Sequence, residues 1–475
     1  MPRISFSSTS FIDLNKTDLD EIRNNKWRLD CPWIRIISRK PTDPETYEGP
    51  GLIWFSEEGR LLFRQYSVRE ENTKQWNFRT PAEAGQVIPD RSFYDLAATD
   101  ANGREWTSER LIPNTHRVAT GNVIVSGALS EIVSGGKYPE DLNLAGATLD
   151  YWIFHDLPFP ANATTIRRES TARGKLRSTS GTTNAWRFRS QAMSFLLIRR
   201  SEHDCTIRVT ATRVPHNPAF PRRIAESFQL LLGTPLAWGV MKYREGNQVK
   251  LFISSKRAPL RSGRFQPPLP TSQLQYGGGK HTSEYHRRLF NKYLRAVLDE
   301  SARRSSIWGL VNAIYEASSS RFLDAEALTL TVAIESLLHN EFQSIGGLSD
   351  EETSALDDLR AHIGSWEGNA KLKKRIIGFF DTIASPRAVD RMRELSNRKL
   401  ISEDQSKAWE RVRNLSTHAY QSVRIESREF ISLIQKCHVL FYHLVFISIG
   451  YKGPYMDVAS RGWPIRSFPG NRLWR

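Results

Sequence analysis

The sequence predicts an α+β multidomain protein: a β-rich N-terminal domain, sandwich or barrel-like, followed by an all-α helical bundle. Three observations lead there. The 475 residues exceed one ordinary hydrophobic core and suit two main parts. Apolar residues alternate in short runs as far as residue 255 and recur with a period near 3.6 beyond residue 284. Between these stretches, residues 256–283 have the Pro, Gly, Ser and Arg content of a linker or long surface arm. The expected organisation is therefore 1–255 as a sensor or scaffold domain, 256–283 as linker, 284–450 as the helical domain and 451–475 as an irregular basic tail.

In chain order, strands are expected at Leu52–Phe55, Leu61–Phe63, Val123–Val125, Tyr151–Phe154, Phe195–Ile198 and Cys205–Thr210, each bounded by turn residues. A helix is expected over Pro221–Leu232. Its stripe of Ile224, Ala225, Phe228, Leu231 and Leu232 closes on Gly233, with Pro235 just beyond. A hairpin follows through Arg244–Asn247 to Leu251–Ile253. Further helices are expected near 284–300, 305–318, 321–342, 351–363, 368–384, 387–397, 404–413 and 426–449. The longest apolar run, Val439–Gly450, is interrupted by His443 and too short to span a bilayer, so it reads as a buried helix.

Composition narrows the function classes. With 39% hydrophobic and 11% aromatic residues, 13 of them Trp, the chain is rich enough in apolar side chains to build a core. Lys and Arg number 67 against 51 Asp and Glu, a formal charge of +16 that favours polyanionic partners such as RNA. Cys31, Cys205 and Cys437 are scattered and odd in number, which argues against a disulfide framework or a zinc ribbon and for a reducing, cytoplasmic setting. The N-terminus lacks the continuous apolar core of a secretory signal, and no membrane association is expected.

Chemistry concentrates in Trp409-Glu410-Arg411-Val412-Arg413-Asn414-Leu415-Ser416-Thr417-His418-Ala419-Tyr420. In an unbroken helix Arg413 and His418 would diverge by about 140°. Asn414, Ser416 and Thr417 are poor helix-interior residues and good caps, so a bend or end is expected within the motif, which would bring both side chains to one side. Arg411, seven before His418, lies on its face even without a break. Arginine supplies a permanent cation with a fork of donors suited to a phosphodiester, and histidine moves protons near neutral pH. Together they suffice for attack of an RNA 2'-hydroxyl on the adjacent phosphate without metal or cofactor. One histidine cannot readily both accept the hydroxyl proton and protonate the leaving oxygen, so a twofold dimer is the natural design.

Arg413–Tyr420 resembles the Arg-x4-6-His motif of HEPN ribonucleases, in the variant with Tyr two after His. The helix Asp324–Leu338, with Ala333-Ile334-Glu335-Ser336-Leu337-Leu338, resembles the corresponding helix of ApeA-like anti-phage HEPN proteins. The match covers roughly residues 285–450. The resemblance implies a HEPN-like bundle, a homodimer or higher homo-oligomer, an RNA substrate with tRNA among the candidates, and abortive-infection defence. Carried over by position, Arg413 and His418 are catalytic, Asn414 is the polar residue after the arginine, and Glu335 is the acidic residue of the partnering helix. Tyr420 matches a tyrosine modified in one toxin branch and is a candidate regulatory site. A phage protein acting at the N-terminal domain is the expected trigger, and an inhibited resting state is expected because unchecked cleavage would harm the host.

Glu335 also has an argument of its own. Its helix, apolar on nearly every face, is expected to be buried, and a buried carboxylate needs a partner, here Arg413 or Arg411. A plain salt bridge pinning two helices is the alternative. For the whole protein the alternative is a non-catalytic HEPN-like dimerisation or RNA-binding scaffold whose N-terminal domain binds a phage or cellular factor. A toxin restrained by a separate antitoxin is a further one. Other motifs read as structural. Gly277–His281 lacks Walker spacing, and His438 and His443 beside Cys437 fit a core helix. His281 and His286 are expected at the surface. Trp186–Arg189, with Arg199 and Arg200, fits RNA binding or alternating strand faces equally well.

Overall fold

The computed structural model describes residues 14–67, 88–117, 123–137, 146–170, 176–201, 204–212, 219–255, 265–271, 279–299, 306–320, 322–417 and 425–468. The chain divides into two units. The first holds residues 1–157, 161–216 and 237–259 and the second holds 158–160, 217–236 and 260–475.

The first unit opens with α1 (Lys16–Arg23), which no periodicity announced. Asn15 and Asp18 form a reciprocal capping box at its start. Fifteen strands follow among the described residues: β1 (Arg28–Ser38), β2 (Thr46–Phe55), β3 (Leu61–Ser67), β4 (Tyr94–Thr99), β5 (Glu105–Leu111), β6 (Asn114–Arg117), β7 (Val123–Leu129), β8 (Glu131–Lys137), β9 (Ala147–Ile153), β10 (Ala163–Ser170), β11 (Leu176–Ser190), β12 (Met193–Ser201), β13 (Asp204–Ala211), β14 (Val240–Glu245) and β15 (Gln248–Ser254). They form one antiparallel ladder in the order β10-β11-β12-β13-β9-β14-β15-β8-β5-β4-β1-β2-β3-β7-β6.

The strands β7 and β8 are consecutive, joined only by Ser130. The first pairs with β3 and the second with β5 and β15, so the strands from β8 to β7 close on themselves through this bent run. Ser255 pins the seam: its amide donates to Ser130 O, and its hydroxyl bonds Leu61 N and Leu129 O at 2.8 and 2.7 Å. Alternation decides what faces inward. On β3, Leu61 and Phe63 are buried while Arg64 and Tyr66 are exposed. Ile34, Ile53, Phe63, Trp106, Val125 and Ile132 share the resulting core, each aliphatic or aromatic side chain contributing about 1.5–3 kcal/mol by burial. The anticipated hairpin is β14–β15, where Gly246 takes φ +54° in a two-residue turn.

The second unit contains α2 (Phe220–Leu232), α3 (Gly279–Leu298), α4 (Trp308–Ser319), α5 (Leu323–Glu341), α6 (Asp350–Ser365), α7 (Ala370–Ala384), α8 (Ala388–Asn397), α9 (Glu403–Thr417) and α10 (Ser427–Ile449), then a small antiparallel pair, β16 (Gly453–Met456) and β17 (Ile465–Phe468). Three expectations about boundaries change here. The helix α2, expected in the 1–255 domain, belongs to the helical unit, because it is buried on most of its surface and packs on α3 and α4. Its Glu226, 2% exposed, accepts from Tyr293 Oη at 2.6 Å, Ile307 N at 2.9 Å and Ser306 Oγ at 2.9 Å, and pairs with Arg223. Gly233 ends α2 at φ +61°, and a Cβ there would meet Pro267 Cα at 2.5 Å.

The supposed linker is the second change. Phe265, Pro268, Leu269 and Pro270 are buried, Tyr442 Oη donates to Gln266 O, and Met456 N donates to Pro268 O. Residues 265–271 are thus packed chain and not a spacer, while 256–264 and 272–278 of the expected linker lie outside the described residues. The supposed tail is the third, since Tyr455 and Phe468 of β16 and β17 close over His443 at ring distances of 4.6 and 4.7 Å. Residues 451–468 of the expected tail lie in this described part, whereas 469–475 lie outside the described residues. The 23-residue α10 is long and apolar enough to cross a membrane, but 78% of its apolar window is buried inside the protein, where it forms the centre of the unit.

Candidate active site

The arginine of the motif is placed by α9. Trp409 and Val412 are fully buried and fix the helix's inner face, leaving Arg413 on its edge beside α5. There Arg413 Nε donates to Glu335 Oε1 at 2.5 Å, joining residues 78 apart in sequence. The guanidinium also sits 5.8 Å from the Trp409 ring centroid, one helical turn back. The side chains of Arg413 and Glu335 are 40% and 36% exposed, so the pair is oriented and still open to solvent.

Other residues of the motif separate around it. Arg411 turns to α10, where its Nη1 meets Glu429 Oε1 at 2.6 Å, because residues two apart on a helix point about 200° from each other. It is not part of the Arg413–Glu335 pair. Asn414 is exposed. Of the expected bend or end, no bend falls before Thr417, the last described residue of α9, and an end beyond it lies outside the described residues; Ser416 Oγ bonds back to Arg413 O at 3.1 Å, the way a serine is accommodated inside a helix. His418 and Tyr420 lie outside the described residues, as do Gly277 and Gly278.

The helix α5 is less buried than its composition suggested. Leu328 and Val332 are 44% and 55% exposed and fall on the same helical stripe as Glu335 and His339. Packing against α4, α8, α9 and α10 covers the other sides, which carry Ala327, Leu330, Ile334 and Leu338. His339, four residues after Glu335, is exposed on the same stripe. The wholly buried carboxylate of α5 is Glu326, at 0% exposure, and its partner is His438 Nε2 at 3.2 Å.

Among the described residues, His443, His286 and the aromatics of β11 behave structurally. His443 is buried, with Gln405 Nε2 3.1 Å from its Nδ1, and burial pushes its pKa down to about 4. His286, expected at the surface, is fully buried because α3 turns that face inward beside Leu289 and Phe290. Trp186 and Phe188 point inward on β11 while Arg187 and Arg189 are exposed, the alternation of a strand. All three cysteines are buried thiols, with Cys31 and Cys205 pushed up to about 12 by desolvation. Among the described residues no group of three or more His, Cys, Asp or Glu is arranged to hold a metal ion. No family model, curated protein or solved structure matches this chain.

Proposed function

We propose that the protein is a HEPN-type endoribonuclease that cuts RNA, tRNA among the candidates, without metal, at a site built by two copies of the chain, and that it serves anti-phage abortive infection in the cytoplasm. The observation that carries the reading is the Arg413–Glu335 pair: a half-exposed guanidinium oriented by a carboxylate from a second helix, five residues ahead of His418. The carboxylate fixes the direction of the fork, which can then hold a phosphodiester and the added charge of a phosphorane.

In this reading His418 of one copy accepts the 2'-hydroxyl proton as the 2'-oxygen attacks phosphorus. The P–O5' bond breaks, and His418 of the second copy protonates the departing 5'-oxygen. The products are a 2',3'-cyclic phosphate and a 5'-hydroxyl. Leu328 and Val332 support the twofold arrangement, since they form an exposed apolar stripe on the same face of α5 as Glu335. The formal charge of +16 favours the polyanionic substrate. Phage-infected cells expressing Arg413→Ala or His418→Ala protein should escape the growth arrest that wild type causes on infection. A scaffold would leave wild type and variants alike.

A further inference from the structure

The helices α6 and α7 form an antiparallel hairpin with an unusual surface. No side chain from Asp350 to Phe379 is buried, yet Leu359 and Trp366 of the first arm and Leu372, Phe379 and Ile383 of the second are 39–61% exposed. The hairpin is well made. Ser349 and Glu352 form a reciprocal capping box on α6, and Asn369 Oδ1 accepts from Lys371 N and Leu372 N at the start of α7. Arg360 lies over the Phe380 ring at 5.8 Å, and Lys373 Nζ donates to Trp366 O at 3.1 Å across the turn.

Helical periodicity sets the direction of the apolar stripe. On α7, Leu372, Ile376, Phe379 and Ile383 fall within about 60° of one another, roughly 90° round from the row of Lys373, Ile377 and Phe380 that faces α6. On α6, Leu359 and the capping Trp366 lie roughly 80° round from the row of Leu356, Arg360 and Ile363, in the same rotational sense. Because the helices are antiparallel, equal rotations in the same sense bring both stripes to one broad side of the hairpin.

Charge then selects an occupant. The arm α6 carries five acidic residues and one arginine, whereas α7 carries four basic residues and one aspartate. Glu351 and Asp358 border the apolar side on the α6 edge, and Lys371 and Arg375 border it on the α7 edge. Apart from Glu352, which falls on the stripe at the first turn of α6, the face is acidic along one edge, basic along the other and apolar between, and such a face is complementary to itself under a twofold axis parallel to the helices. That axis lays each α6 antiparallel over the other copy's α7 and keeps every residue at its own height along the hairpin, so that Asp358 meets the partner's Arg375 and the net-acidic arm lies on the net-basic one, whereas a perpendicular in-plane axis would stack like charges. Helices of 16 and 15 residues are about 23 Å long, giving a contact near 500 Å² per copy and about 1,000 Å² in total, the lower bound for a specific interface.

We infer that two copies of the chain pair through this side of the α6–α7 hairpin, forming a four-helix bundle with each acidic arm on its partner's basic arm. This pairing uses a different surface from the Leu328–Val332 stripe and does not rest on the ribonuclease reading. Mass in solution, measured by light scattering on the full chain at about 20 µM, tests it without reference to cleavage. Phe379→Asp should halve the mass of wild type, as should Glu351→Lys with Asp358→Lys, or Lys371→Glu with Arg375→Glu. Mixing the two charge-reversed proteins should restore the larger species. Because every substituted side chain is exposed, circular dichroism should remain that of wild type. A monomeric wild type, an unchanged mass for Phe379→Asp, or no restoration on mixing would overturn the pairing.

Discussion

On the proposed reading, the Arg413–Glu335 contact matters for chemistry and little for stability. An ion pair with both partners more than a third exposed is worth at most about 1 kcal/mol. Glu335→Ala should therefore shift thermal unfolding by no more than a few degrees while lowering RNA cleavage at least tenfold, as the guanidinium loses its orientation. A large loss of stability with cleavage in proportion would mark the pair as a helix pin. His443 gives the opposite kind of test. Its folded-state pKa, about 4, lies below the ordinary histidine value, so the unfolded chain takes up a proton that the folded chain refuses. Its contribution is full above pH 6.5 and is lost as pH falls towards 4, by roughly 2–3 kcal/mol. Replacing His443 by Gln should flatten the dependence of the melting temperature on pH across that window. An unchanged slope would assign the acid sensitivity to other groups.

At the scale of elements, the periodic signals were strong and the interruptions were not. Eight helices from 279 to 449 lie within a few residues of where apolar spacing put them, and Gly233 caps α2 where Gly and Pro follow the stripe. The sequence narrows the partner of Glu335 to Arg413 or Arg411, but on the premise of a buried carboxylate, whereas Glu335 is 36% exposed and the buried carboxylate of α5 is Glu326. Three things were not legible. Ser416 and Thr417 continue α9 because a serine hydroxyl can return to its own helix's carbonyl, which composition cannot distinguish from a cap. The assignment of α2 to the helical unit depends on Glu226, whose partners lie 67 to 81 residues downstream. The arm at Phe265–Pro270 has linker composition and core burial, and only tertiary contacts reveal which prevails. Glu226→Ala, which removes the acceptor of the Tyr293 and Ser306 hydroxyls and the Ile307 amide, should destabilise the helical unit by about 3–5 kcal/mol. A melting temperature within about 2 °C of wild type would show that α2 is held by its apolar contacts instead.

For the molecule as a whole, a large antiparallel β unit precedes a helical unit, and the chemistry is assigned to one helix edge of the second. On the proposed reading, the β unit with its closed ring of strands is where a trigger would act, and the excess of basic residues suits an RNA substrate. The central claim is that Arg413 and His418 cut RNA without metal. Its most direct test maps the ends of RNA fragments made from total tRNA in EDTA by purified wild type, Arg413→Ala and His418→Ala protein, alongside RNA from phage-infected cells expressing each. Fragments with 2',3'-cyclic phosphate and 5'-hydroxyl ends should come from wild type and not from either variant. The same fragments from all three proteins, 3'-hydroxyl ends that need added metal, or no fragments from wild type either in the tube or in infected cells would contradict it.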